Sequence, residues 1–120
     1  MADFTPAPVK PLVDITVLEQ LDVRVGTIVA VEDLPRSTRL VRLTVDFGDH
    51  RRSIVAGLKQ ERQDPREIEG RQALFVVNLP AREMMGLRSE GMLFDIGYAD
   101  GIRPVLAVPE SPVANGVRAG

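Results

Sequence analysis

The chain has 120 residues and a mass of 13.2 kDa, which suits one domain with a single core. It contains no Cys, and His50 is its only histidine; disulfides, thiolate zinc sites, cysteine nucleophiles and any site needing a second histidine are excluded. No apolar run approaches the ~20 residues that span a bilayer, and no basic-then-apolar leader opens the chain, so a cytoplasmic protein without a membrane partner is expected.

The formal net charge of −2 conceals an asymmetry. Residues 36–88 carry ten arginines and Lys59 against seven acids, a local balance of +4, whereas residues 1–35 sum to −4 and residues 89–120 to −2. An acidic protein built this way can present a local positive face. Arginine outnumbers lysine thirteen to two, which favours forked contacts to phosphate or carboxylate.

Residues 1–13, with Pro6, Pro8 and Pro11, read as an extended or mobile arm preceding a domain over 14–120. Thr16 and Glu19 have the spacing of a capping box, and Leu18 and Leu21 share a face, predicting a short helix over about 16–21. Val23 to Val31 alternates as a strand with β-branched residues on one face, and Gly26 within it predicts a bulge or bend. Val41 to Phe47 is a second strand, Gly48-Asp49-His50 a hairpin turn, and Arg52 to Ala56 a third strand. Pro65 to Ile68 suits a short helix. Ala73 to Leu79 is a fourth strand, residues 81–88 a connector, Met92 to Tyr98 a fifth strand, and Ile102 to Val108 a short further one before an irregular tail. Phe47 and Phe75 fall in apolar strand patterns and are expected in the core; base stacking is therefore not expected as the main mode of binding. The pattern fits an all-β, five-stranded OB-fold barrel with a short N-terminal helix and a C-terminal extension, although pattern alone leaves other small barrels and sandwiches open.

More specific residues follow. Leu21-Asp22-Val23-Arg24-Val25-Gly26-Thr27-Ile28-Val29 resembles the opening of the tRNA-binding OB-fold domain found at the C-terminus of some methionyl-tRNA synthetases and as small free-standing proteins. Pro35-Arg36-Ser37-Thr38-Arg39-Leu40 stands where that family has Pro-Asn-Ala-Asp-Lys-Leu; Pro35 and Leu40 match and Arg39 keeps the charge, whereas Arg36 and Thr38 depart. Asn78-Leu79, Arg82, Met85-Gly86 and Ser89-Glu90-Gly91-Met92 are similar to the family's most specific stretch, with the spacing intact, and Pro112, Asn115 and Gly116 resemble the tail of free-standing members. Two subgroups compete. The CsaA proteins, proposed as secretion-related chaperones, tend to carry Lys-Gln-Ser-Ser-Ala in the third-strand region, where this chain has Ser53-Ile54-Val55-Ala56-Gly57-Leu58; the Asp46-Phe47-Gly48 turn looks CsaA-like.

The resemblance implies a non-catalytic homodimer that recognises folded tRNA by shape and phosphate contacts, without cofactor or metal. The alternative it leaves is a CsaA-type binder of unfolded peptides. Arg36, Arg39, Arg82 and Arg88 are the candidate phosphate partners, Asn78 a contact to sugar or base edge, Ser89 a hydrogen-bonding hydroxyl, and Met92 an apolar contact to base or ribose. Each has a plainer reading: a solvated arginine, a strand-end cap, an ordinary core methionine. For Arg82 the plainer reading is an ion pair with Glu83. Dimer contacts are expected from the helix bearing Leu18 and Leu21 and from the tail beyond Ile102.

Overall fold

A computed structural model describes residues 3–120; Met1 and Ala2, the start of the expected arm, lie outside the described residues. Residues 4–13 have no regular structure and are exposed. Helix α1 spans Ile15–Glu19. It starts earlier than the capping box predicts, because Asp14 is its N-cap and not Thr16. The Asp14 carboxylate accepts from both the Thr16 amide (3.2 Å) and the Thr16 hydroxyl (2.6 Å), so Thr16 caps nothing itself. These bonds hold the Asp14 carboxyl below its ordinary value.

The strands are β1 (Val23–Asp33), β2 (Val41–Asp46), β3 (Arg51–Ala56) and β4 (Gln72–Val76), followed by short pieces. These are β5 (Arg82–Met84), β6 (Leu87–Ser89), β7 (Met92–Leu93), β8 (Asp95–Ile96), β9 (Val105–Leu106) and β10 (Arg118–Ala119). The main sheet runs β3-β2-β1-β4-β7, antiparallel throughout. Its first and last strands meet: the Glu90 amide donates to Ser53 O (2.8 Å), and Arg52 Nη1 donates to Val77 O (2.7 Å) and Glu90 O (3.3 Å). The sheet thus curls towards closure, the five-stranded OB-like barrel that the pattern predicts. Inside lie Ile28, Leu43, Ile54, Phe75 and Phe47, the two rings edge to face at 5.6 Å. The one-turn 3-10 helix Pro65–Ile68, capped by Asp64, places Ile68 in the same core. Full burial of such side chains contributes ~1.5–3 kcal/mol each.

Several boundaries move. The register shift in β1 falls between Ile28 and Ala30 rather than at Gly26, which instead lies beneath Val45 and Phe47. The connector 81–88 is a hairpin, β5 and β6 joined through Met85 (φ 54°) and Gly86 (φ 77°). Two positive φ values in succession are what a twisted two-residue hairpin needs. The expected strand 92–98 breaks into β7 and β8, with Tyr98–Asp100 forming a 3-10 turn between Gly97 and Gly101. The segment 102–108 keeps only β9.

The tail is not irregular to its end. The first residues of β1 pair with β4 on one side and with β10 on the other, whereas β2 takes the second side only from Thr27 onward. Strand β10 therefore covers an edge that β2 leaves bare. Asn115 fixes it, its Oδ1 accepting from Thr27 Oγ1 (2.8 Å) and Gln72 Nε2 (3.0 Å). Gly116 (φ 90°) passes so close to Phe47 O that a Cβ would collide with it.

Candidate nucleic-acid interface

The β1–β2 loop carries Arg36 and Arg39. Its shape is set from below: Lys59 Nζ donates to Leu34 O (2.8 Å) and Ser37 O (2.6 Å) and pairs with Asp33, while Ser37 Oγ accepts from the amides of Arg39 (3.1 Å) and Leu40 (2.9 Å). The loop is thus anchored by largely half-buried contacts while both arginines stay exposed.

The β5–β6 hairpin carries Arg82, Arg88 and Ser89. Arg82 lies directly opposite Ser89, and Glu83 opposite Arg88. Alternation sends Arg82, Met84, Leu87 and Ser89 to one face and Glu83 and Arg88 to the other. Arg82 and Glu83 therefore point apart and form no ion pair. Ser89 is buried, 4 % exposed, and its hydroxyl accepts from the Val55 amide at 3.0 Å, tying the hairpin to β3.

Between loop, hairpin and the 98–104 segment lies a groove of about 830 Å³. Of the predicted residues, Arg39, Arg82, Ser89 and Met92 line it; Arg36, Arg88 and Asn78 do not. Arg36 is elsewhere on its loop and Arg88 is on the hairpin's outer face. Asn78 joins elements: its Oδ1 accepts from the Asp22 amide (2.8 Å) and its Nδ2 donates to Gln20 O (2.7 Å), linking the end of α1 to the segment that follows β4. Met92 is half exposed rather than core.

The groove also contains residues that sequence reasoning did not select. Phe94 is 43 % exposed and Tyr98 70 % exposed on its wall. Arg103 lines it, its Nε donating to Glu61 O. Glu61 and Asp95 line it as well and are partly buried. Burial pushes the Glu61 carboxyl up, with the nearby Asp95 carboxylate adding to the rise, and burial pushes Asp95 up, offset in part by the Tyr98 backbone amide. The signal that could have found Tyr98 is its place against Gly97 and the Ala99-Asp100-Gly101 turn, which stops the strand before it.

Much of the basic middle region is structural. Arg42 bonds Ser53 Oγ and pairs with Glu32, Arg62 pairs with Glu67, Arg66 reaches Val31 O, and Arg52 holds the barrel seam. Arg36, Arg39, Arg82 and Arg88 make no ion pair and no side-chain hydrogen bond among the described residues. A smaller cleft of about 220 Å³ beside Phe47 is lined by Arg24, His50, Arg52 and Asn78, whose polar groups are already paired. Arg24 forks onto Asp22 (2.9 and 3.0 Å), and Arg52 Nε donates to His50 Nε2 (3.0 Å) while His50 stacks on Phe47 at 5.6 Å. Among the described residues no cluster of His, Cys, Asp or Glu could hold a metal ion, and no helix is long and apolar enough to cross a membrane.

A small curled barrel with an arginine-rimmed, partly apolar groove defines an OB-type binding module. The family model described as "Putative tRNA binding domain" matches residues 23–118, and the chain belongs to that family. It is 41 % identical over 81 residues to the methionine–tRNA ligase of Methanocaldococcus jannaschii and 39 % identical over 97 residues to that of Porphyromonas gingivalis. These alignments cover 68 % and 81 % of this chain but only 12 % and 14 % of the ligases. Among solved structures, the MetRS related protein from Pyrococcus horikoshii superposes with a TM-score of 0.84 at 32 % identity, covering 92 % of this chain and 100 % of that one. The chaperone CsaA of Bacillus anthracis superposes with a TM-score of 0.78 at 27 % identity and the same coverage.

Proposed function

We propose that this chain is a non-catalytic module that binds folded tRNA as a homodimer. The observation that carries this reading is the groove shared by Arg39 and Arg82, two exposed guanidinium groups free of acidic partners, in a chain of the tRNA-binding domain family. Arg36 and Arg88 extend the cationic surface beyond the groove, and each unpaired guanidinium can fork onto a phosphate. Ser89 ties the hairpin that bears Arg82 to β3, Asn78 ties α1 to the barrel, and Met92 offers the apolar contact.

Dimerisation is supported by surface left uncovered. No residue of α1 is buried, with Leu18 57 % exposed; Leu21, which lies just past the helix rather than in it, is 48 % exposed, and Val117 is exposed on the tail. Apolar patches of this kind mark association surfaces, and pairing two modules raises avidity.

Titration of mixed tRNA at two salt concentrations tests the reading. Phosphate contacts release counterions, so affinity falls steeply between about 50 and 200 mM salt, and Arg39→Ala and Arg82→Ala each lower the salt slope by about one. Sedimentation of Leu18→Glu beside the wild type tests the dimer; an unchanged mass would remove the helix from it. The similarity to a CsaA chaperone, together with exposed Leu79, Met92 and Phe94, supports a second reading, an unfolded-peptide binder. Suppression of client aggregation with no tRNA binding at low salt would favour it.

A further inference from the structure

The charged groups of the groove are layered. Arg39, Arg82 and Arg103 are exposed at its rim, whereas Glu61 and Asp95 are partly buried within it. A phosphate is attracted to the rim and repelled by the interior. A nucleobase is not: its face is apolar and its exocyclic amino and ring N–H groups donate to carboxylates. In the same groove Phe94 and Tyr98 offer ring surface to solvent. Tyr98 opens a turn held by three backbone bonds, Asp100 N to Gly97 O (3.1 Å), Gly101 N to Tyr98 O (3.1 Å) and Ile102 N to Gly97 O (3.0 Å), so its ring is presented on a fixed backbone. The volume of about 830 Å³ is that of a cleft for a small ligand, the size class of one or two nucleotides.

We infer that the groove is a stacking site for unpaired nucleotides, with splayed bases on Tyr98 and Phe94 and their phosphates on Arg39 and Arg82. The inference rests on the RNA-binding reading and specifies which part of an RNA enters: loop or end nucleotides whose bases are out of the helix. Duplex segments meet only the arginines outside.

The composition supplies a probe. Tyr98 is the only tyrosine and there is no tryptophan, so the intrinsic emission of the wild-type chain reports this ring. A short unstructured RNA oligonucleotide is titrated beside a blunt duplex of the same composition, following Tyr98 emission and, separately, the anisotropy of labelled RNA. The single strand is expected to quench Tyr98 and the duplex to leave it unchanged. Tyr98→Leu is expected to weaken single-strand binding about tenfold, within the usual worth of one base–aromatic stack, with its salt slope unaltered, while Tyr98→Phe retains it. If tRNA and oligonucleotide bind while Tyr98 emission stays constant and Tyr98→Leu binds like wild type, the stacking site is wrong and the tRNA reading stands. Equal quenching by duplex overturns the preference for unpaired bases. If no RNA binds at low salt, both readings fall; quenching by an unfolded polypeptide instead would make the groove a peptide site. The wild-type measurement decides these outcomes even if a variant fails to fold.

Discussion

The Ser89 hydroxyl accepts a hydrogen bond from the Val55 amide, a donor that the edge of β3 would otherwise bury without a partner. Losing one partner of a buried hydrogen bond costs about 1–3 kcal/mol. Ser89→Ala is therefore expected to lower stability by about that amount, read as a lower urea midpoint at unchanged slope. At the same scale, Arg82 and Arg88 show how a single alternation assigns roles. Their spacing is legible in the sequence, but only the pairing register of β5 with β6 puts Arg82 in the groove and Arg88 outside it. Asn78 interrupts an apolar run and reads equally well as a contact or a cap. Its two bonds to Asp22 and Gln20 make it a link between α1 and the barrel.

Among the elements, the tail is the one whose role depends most on others. Strand β10 has two residues and adds little by itself; it is held by Asn115 and by exchange of backbone bonds, Val25 N to Val117 O (2.9 Å) and Gly116 N to Val25 O (2.8 Å). Asn115→Ala removes the acceptor of Thr27 and Gln72. It is expected to speed hydrogen exchange at the Val25 and Gly116 amides while leaving those of the β2–β3 ladder protected. Equal protection in the variant would show that backbone pairing alone retains the tail. Strand β2 was legible in the sequence because one face is buried, giving period-two alternation, whereas β1 and β3 were legible from their β-branched apolar residues although each buries neighbours in succession, Val25 with Gly26 and Ile54 with Val55. The 92–108 region was not, because short pieces wrapped around a barrel end bury alternate residues without sustaining a ladder.

For the molecule as a whole, the carboxylates in the groove set a pH dependence. Glu61 and Asp95 are raised above their ordinary values, chiefly by burial. The fold therefore disfavours their charged forms, and both take up protons at a higher pH than the unfolded chain would. Their destabilising contribution is full above the folded pKa values and is relieved as pH falls through them. Asp22 behaves oppositely: the Arg24 hydrogen bond lowers it, and its stabilising contribution is lost only as pH falls through its lowered value. Acidification through the raised carboxyl values of Glu61 and Asp95 is thus expected to tighten RNA binding as negative charge leaves the groove. Glu61→Gln together with Asp95→Asn should abolish most of that gain, read by anisotropy titration at each pH. Affinity that falls on acidification in the wild type would contradict this assignment of charge.

Composition and local pattern by themselves determined the all-β class, the position of the short helix at Pro65–Ile68 and the two core phenylalanines, because burial on one strand face and tight turns leave marks on neighbouring residues; the family was legible only through the resemblance of its motifs. Which arginines remain free was decided only by tertiary structure. Arg42, Arg52 and Arg62 find partners on other strands or across loops, contacts that sequence spacing does not encode, and Arg39 and Arg82 do not. The exposure of Phe94 and Tyr98 was settled the same way: the strand breaks after Leu93 and a 3-10 turn begins at Tyr98, so residues that alternate like a buried strand line a groove.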